Sequence, residues 1–413
     1  MSERTVIIGG GITGLCTAWY LARRGREVVV LDRDPVGEGA SGGNAGILAA
    51  GHMPLALPGL AVKALKWMFT KDSPLYIPPR LDLPMFRWFW NFNRACNQAT
   101  LERSMETLAP LGFLAMEEWA VMIDEVGADC DFRTHGWMNV YRTEEGRRES
   151  EEEGEVMVKM GFGVESYDGP TTRDREPIMN DAVQGAVRFT DSASLDPVAF
   201  MKGLAAKLKA MGVEIRTGVE VDALIVQSGR CLGARSKQGE DFRGNQTLLA
   251  AGIWSTGLAA AAGLKLPMQG GKGYRQDLAG LGAQLSLPCV LIERFIAVTP
   301  MGDRLRLAGT VEFSGLNHDL VQERVDMLTR GASWYLEGVK EAEKLGQGCD
   351  LRPCTADGLP VLGWAPGLEG LMISTGGAKM GVTLAPALGK TAAELMFDGR
   401  AGLDVAALRA DRF

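Results

Sequence analysis

The sequence predicts an α/β fold: a parallel-sheet unit assembled from separated stretches of chain, and a mixed α+β unit with an antiparallel sheet threaded through it. Three observations predict it. A β-α-β pattern with a glycine turn opens the chain over residues 5–32. A strand, a glycine-rich turn and a helix close it from residue 371. Between them, residues 268–312 read as a succession of short strands. The first unit takes residues 1–80, 190–270 and 350–413, and the second takes 81–189 and 271–349. At 413 residues the chain has material for roughly two to three domain-sized units.

Residues 5–8 (TVII) read as a buried parallel strand. Apolar spacing then predicts a helix from Thr13 to about Arg24, stopped by Gly25 just past its C-cap. A second strand, Glu27–Leu31, ends at Asp32. After a Gly- and Ser-rich loop, residues 53–95 turn aromatic and proline-punctuated, with LKWMF at 65–69 and FRWFWNF at 86–92. Helices are expected over 101–126, 145–160 and 197–211, with the charged run RRESEEEGE at 147–155 read as a solvated face. Residues 212–226 (GVEIRTGVEVDALIV) read as strands joined by a turn, and 316–345 as helical.

Composition narrows the function. Apolar residues make up 46% and charged residues 23%, as in an ordinary soluble globular chain. A net charge of −7 argues against a nucleic-acid partner, which needs a basic surface to displace counterions. The seven cysteines form no C-x-x-C pair, so neither a disulfide framework nor a zinc site is signalled, and a reducing cytoplasm is the expected setting. Three histidines (His52, His135, His318) leave little for metal or Ser-His-Asp chemistry. No leader is expected ahead of the first strand, and no uncharged apolar run reaches bilayer length.

The strongest motif is VIIGGGITG at 6–14. Gly9, Gly11 and Gly14 form G-x-G-x-x-G directly after a strand and at the opening of a helix. The first glycine permits the tight turn, the second lets a pyrophosphate approach the backbone, and the third lets helix pack on strand. The phosphates then face the helix start at Ile12 and Thr13, where unpaired N–H groups and the dipole favour anions. Asp32 ends the next strand, placed to accept hydrogen bonds from a ribose diol. Strand, helix, second strand and acid in that order read as a Rossmann-like dinucleotide unit.

From Asp32 onward, ASGGNAG (40–46), LALPGLAVKALKWMF (55–69), LLAAGIWS (248–255), KGY (272–274), LRPCTADGLPVLG (351–363) and STGGAKMGVTLA (374–385) follow one another. In that order they resemble the D-amino acid oxidase and dehydrogenase (DAO) family of flavoproteins, its bacterial dehydrogenases above all, over essentially the whole chain. The resemblance implies noncovalent FAD. Its contacts would be the glycine turn with Asp32 and Arg33, then Ser41, Asn44, Ala45 and Gly46 along pyrophosphate and ring. Val221, Ala251, Gly252 and Trp254 would lie near the ADP half, and Gly376, Gly377, Lys379, Met380, Gly381 and Thr383 near the ring.

The resemblance also implies oxidation of an amino acid C–N bond by hydride transfer to flavin N5, with a quinone or other acceptor taking the electrons. Arg352 matches the carboxylate-binding arginine in LRPxTxDG, and a guanidinium fork suits that task. Lys379 has three readings: a partner for flavin N1, a partner for a second substrate carboxylate, or a solvated side chain. Gly377, Val382 and Phe295 depart from the histidine, tryptophan and tyrosine common in the family. Phe295 offers no hydroxyl to a carboxylate; Tyr274 is the alternative donor, or a core aromatic. These departures keep open secondary amines (proline derivatives, opines, N-alkyl glycines), with 2-hydroxy-acid oxidation as a further alternative. Cys354 is read as a buried thiol rather than a flavin attachment. His52 is placed at the border of the site or in the scaffold. Residues 55–92, with Lys63, Lys66 and Lys71 near Trp67, read either as a helical layer over the substrate cavity or as a peripheral contact with the inner face of the plasma membrane.

Overall fold

The structure is a computed structural model, and it describes residues 3–60, 63–64, 73–78 and 82–413. Its centre is a six-stranded sheet in the order Val361–Trp364, Leu371–Thr375, Gln246–Leu249, Arg4–Ile8, Glu27–Leu31, Glu214–Arg216. All neighbours are parallel except the first pair. These strands come from three remote stretches of chain, so the parallel sheet is discontinuous, as its sequence pattern implied. The central strands are mainly apolar and buried beyond their first residue (RTVII, EVVVL, QTLL) because both faces are covered. On one face lie the helices Ile12–Arg23 and Gly381–Asp398, whose small residues let the two backbones approach; a Cβ on Gly389 would sit 2.9 Å from Cys16.

A second, mixed sheet runs in the order Lys344–Thr355, Met268–Leu278, Arg304–Glu312, Ile296–Met301, Cys289–Leu291, Trp137–Tyr141, Gly185–Phe189, Val164–Asp168. Apart from Cys289–Leu291 beside Trp137–Tyr141, neighbours along this order are antiparallel. Alternation along Met268–Leu278 divides its side chains between two faces. Tyr274 and Leu278 enter an apolar core with Leu307, Leu328 and Tyr335, while Gly273, Arg275 and Asp277 take the other face.

Most predicted elements lie where their periodicity put them. The expected helices appear as Gln98–Val126, Glu144–Lys159 and Pro197–Ala210. The stretch 316–345 differs. Only Gln322–Ala332 is helical there, because the chain on either side is spent reaching that helix and returning to the strand Lys344–Thr355. Within the aromatic stretch, Leu83–Ala95 is a helix capped by Asp82, with Met85, Trp88 and Phe92 inward. These aromatics pack on Cys354 and Ala378, which makes this helix a layer over the strand that carries Arg352. Lys66, Trp67 and Lys71 lie outside the described residues. Among the described residues no helix is long and apolar enough to cross a membrane.

Candidate active site

The glycine turn is built to the tolerance its motif demands. Gly9 adopts φ +110°, and a Cβ there would sit 2.4 Å from the Ala250 carbonyl oxygen. A Cβ on Gly14 would lie 2.0 Å from the Gly9 carbonyl oxygen, so only glycine lets the helix start this close to the strand. The helix begins after Gly11 with no side-chain cap on its own Ncap residue, and first-turn N–H groups have no intrahelical acceptors. Ser41 Oγ, from the following loop, accepts the Ile12 N–H at 3.1 Å. An open helix start beside a turn too tight for any Cβ fits a pyrophosphate.

Asp32 stands at the carboxyl end of the second strand. Its Oδ2 accepts the Gly10 N–H at 2.6 Å and its Oδ1 accepts the Asp34 N–H at 2.9 Å. Burial lifts its carboxyl above the ordinary value, against those two hydrogen bonds. A carboxylate accepts about four hydrogen bonds, so capacity remains for a ribose diol. Arg33 lies over the Trp254 ring, 4.3 Å from its centroid, and joins this strand end to the turn Gly252–Trp254. Thr375 Oγ1 donates to Gly252 O at 2.9 Å, which ties that turn to the C-terminal strand. Val221 opens a separate three-stranded ladder, but the adjacent Val219 N–H donates to Asp32 O at 2.9 Å.

The loop at 41–46 is held from the second sheet. Arg306 NH1 donates to the carbonyls of Gly42 (3.0 Å) and Asn44 (3.1 Å), while Asn44 Oδ1 accepts the Gly46 N–H at 2.7 Å. Leu195 N–H donates to Gly46 O, and Ala45 sits between these anchors. Between this loop and the sheet is a cavity of about 540 Å³, with Gly39, Gly43, Arg275, Arg306 and Asp350 among its lining residues.

Arg352 and the glycine-rich turn meet at the end of this arrangement. A β-bridge joins Cys354 to Gly377, two residues past Arg352 and two before Lys379. The register shift between Lys272 and Tyr274 opposes Thr310, whose φ is +59°. The Thr310 carbonyl accepts Arg352 NH1 at 2.9 Å. The guanidinium lies over Gly273, where a Cβ would be 2.3 Å from it. Burial draws the Arg352 pKa down, and Asp350 on the same face opposes that. Cys354 is buried beneath the aromatic helix, its thiol pushed up to about 11 by burial, which suits the reading of a bystander thiol. Trp88 Nε1 donates to the Cys354 carbonyl at 2.9 Å.

The turn itself carries Gly376 at φ +79° and Ala378 at φ +44°, then a single 3-10 turn with Met380 buried, before Gly381 opens the last helix. Thr383 Oγ1 donates to Ile47 O at 3.4 Å. Lys379 is half-buried on this turn. Burial lowers its pKa and Glu153 opposes that. No hydrogen bond or ion pair holds its ammonium among the described residues. Glu153 is also the partner of His52, with Nδ1 and Oε1 2.9 Å apart.

Two expectations need correcting. Tyr274 is not at the substrate: it faces the core, and its hydroxyl donates to Glu312 Oε2 at 2.8 Å, because alternation puts it on the opposite face from Gly273 and Arg352. The run 147–155 is not wholly solvated, since Ser150, Glu153 and Gly154 are buried. Their spacing with Gly146 and Met157 follows the helical period, a signal the density of charge masked. Phe295 ends a 3-10 turn in the left-handed region (φ +52°) just ahead of the strand Ile296–Met301. No motif pointed to Glu153, Asn139, Asp350, Arg275 or Arg306.

A family model described as FAD dependent oxidoreductase (DAO) matches residues 4–395. The chain is 31% identical over 405 residues to a D-amino acid dehydrogenase of Cereibacter sphaeroides, covering 96% of this chain and 92% of that protein. Its fold matches glycine oxidase from Geobacillus kaustophilus with a TM-score of 0.81 at 21% identity over 100% of both chains. It also matches L-proline dehydrogenase from P. horikoshii, with a TM-score of 0.77 at 18% identity over 100% of this chain and 98% of that one. The glycine turn, the acid after the second strand and the match over nearly the whole length agree: this chain belongs to the DAO family of FAD-dependent oxidoreductases.

Proposed function

We propose that the enzyme oxidises the C–N bond of a D-amino acid, yielding an imine that water converts to the 2-oxo acid and ammonia. The observation that carries this reading is Arg352. Its guanidinium is half-buried on the sheet face that also carries Gly273, with one nitrogen tied to Thr310 O, so its remaining donors can take a substrate carboxylate as a fork. Bound FAD supplies the two-electron acceptor, with N5 taking the Cα hydrogen as hydride. Gly9, Gly11 and Gly14 would admit its pyrophosphate, Asp32 would accept from its ribose, and the 41–46 loop would hold the ring. Fixing the carboxylate on Arg352 sets the direction of the Cα–H bond, and such orientation is the main contribution a protein makes to hydride transfer. Lys379 adds positive charge to the site and stabilises anionic character on substrate or ring.

A quinone or another acceptor outside the substrate cavity takes the electrons onward. We place the enzyme in the cytoplasm or on the inner face of the plasma membrane, with residues 55–92 as the contact in the second case. A second reading is a secondary amine, because Phe295 offers no hydroxyl where the family commonly has a tyrosine.

Anaerobic mixing of the holoenzyme with D- and L-amino acids, cyclic imino acids, N-alkyl glycines and 2-hydroxy acids tests this. The expected result is flavin bleaching by D-amino acids at rates well above those with the L-forms. Bleaching by hydroxy acids alone would overturn the reading.

A further inference from the structure

An amino acid reaches neutral solution as an ammonium carboxylate, and its nitrogen cannot donate electrons into a forming C=N bond while fully protonated. One proton must leave first. The structure holds a carboxylate-backed imidazole on the segment that follows the 41–46 loop, and its charge couples to that of Lys379. His52 Nδ1 lies 2.9 Å from Glu153 Oε1, and Glu153 Oε2 accepts from Asn139 Nδ2 at 2.8 Å. The imidazole stands edge-on to Trp137, with centroids 5.4 Å apart. Three elements thus converge: the segment after the flavin loop, the helix Glu144–Lys159 and the strand Trp137–Tyr141. A carboxylate on Nδ1 fixes the tautomer that leaves a lone pair on Nε2, and Nε2 has no hydrogen-bond partner among the described residues. Asn139 Oδ1 and Trp137 Nε1, both buried here, also find none.

Charge supports the same role. Burial lowers the His52 pKa, Lys379 adds to that, and Glu153 opposes it, so the ring rests neutral and ready to accept. Burial pushes the Glu153 carboxyl up, but His52, Lys379 and Asn139 outweigh it and keep it ionised. A buried ionic cluster of this kind is a weak stabiliser, whereas a neutral imidazole backed by a carboxylate is the arrangement that general-base catalysis needs.

We propose that His52, oriented by Glu153 and Asn139, takes the proton from the substrate ammonium before the Cα–H bond breaks. The N–H bond breaks and an Nε2–H bond forms, leaving a neutral amine and an imidazolium opposite Glu153. The Cα–H bond then breaks with its electron pair passing to flavin N5, while the nitrogen lone pair forms C=N. The imidazolium proton returns to solvent. This rests on the amino acid reading above, and the two fail separately: bleaching of the wild-type flavin by any amine decides that reading, and His52 variants decide this one.

With only three histidines in the chain, 15N-imidazole NMR of the holoenzyme reads the tautomer directly, His52→Gln assigning the signal. Protonated Nδ1 and bare Nε2 are expected at neutral pH, and a protonated Nε2 overturns the proposal. Stopped-flow reduction by an amine the wild type accepts gives the second readout. The His52→Gln holoenzyme should lose about 100-fold near neutral pH and regain about tenfold per pH unit as solvent takes over the deprotonation. Glu153→Gln should lose less and keep the wild-type Cα–H isotope effect. A His52→Gln rate profile matching wild type overturns the role, and the same loss in Lys379→Met with His52→Gln unaffected would assign it to Lys379.

Discussion

Arg306 and Asp277 form a buried two-bond pair, Nε to Oδ1 at 2.8 Å and NH2 to Oδ2 at 3.0 Å, and the third nitrogen of Arg306 holds the loop at 41–46 through Gly42 O and Asn44 O. Asp277 also binds Arg304, which reaches Asp196 at the start of the helix Pro197–Ala210. Burial pushes the Asp277 carboxyl up, but Arg306 and Arg304 outweigh it and hold it below the usual range. The second sheet therefore adds two anchors to a loop that the first unit holds through Ser41.

Arg306→Met should destabilise the protein by about 3 kcal/mol, because one member of a buried pair and two carbonyls lose their partner. It should also weaken FAD binding. Urea unfolding and FAD titration check both, and a stability loss with unchanged FAD affinity would mean the loop is fixed elsewhere.

Asp32→Ala should lower FAD affinity by about 1.5–3 kcal/mol, the worth of a hydrogen bond to a charged acceptor. Since Asp32 also holds the Gly10 N–H, the apoprotein should lose stability as well. Fluorescence titration with FAD, alongside apoprotein melting, separates the two contributions.

Arg352→Lys keeps the charge and loses the fork. Both KM and the limiting rate of flavin reduction should worsen by about tenfold or more, since the guanidinium binds and orients at once. Near-normal stopped-flow reduction would show that bidentate geometry is not used.

Lys379→Met should make flavin reduction slower with every substrate, by about 100-fold if the charge faces the site in the transition state. The flavin potential should fall with it. Potentiometry and reduction on two substrates measure this, and wild-type values for both would place the ammonium outside the chemistry.

Stability should carry an acid limb from His52. Its folded pKa lies below the ordinary value near 6.5, so between those values the unfolded chain binds more protons than the folded one. The stabilisation is complete above about pH 6.5 and is lost as pH falls toward the folded pKa. Melting curves from about pH 5 to 7.5 should be shallower in His52→Gln than in wild type; equal slopes would show that His52 is not neutral in the fold.

What the sequence by itself determined is the local and the repeated: the strands with their apolar runs, the helices with their period, the glycine turn and the acid one strand later. Each rests on backbone sterics or on spacing within a dozen residues, and Gly9, Gly14 and Asp32 all have the geometry their motif required. Arg352 and Lys379 became candidates because they sit inside short blocks whose order resembles a known family. Tertiary structure alone decided the rest. Tyr274 and Gly273 are adjacent in the chain yet face opposite sides of one sheet, and only the register with Lys344–Thr355 shows which side holds Arg352. His52 meets Glu153 across 101 residues, and Arg306 meets Gly42 across 264. Such pairs leave no trace in local spacing, because a charge held by a partner hundreds of residues away reads, along the chain, like any charge bound for water.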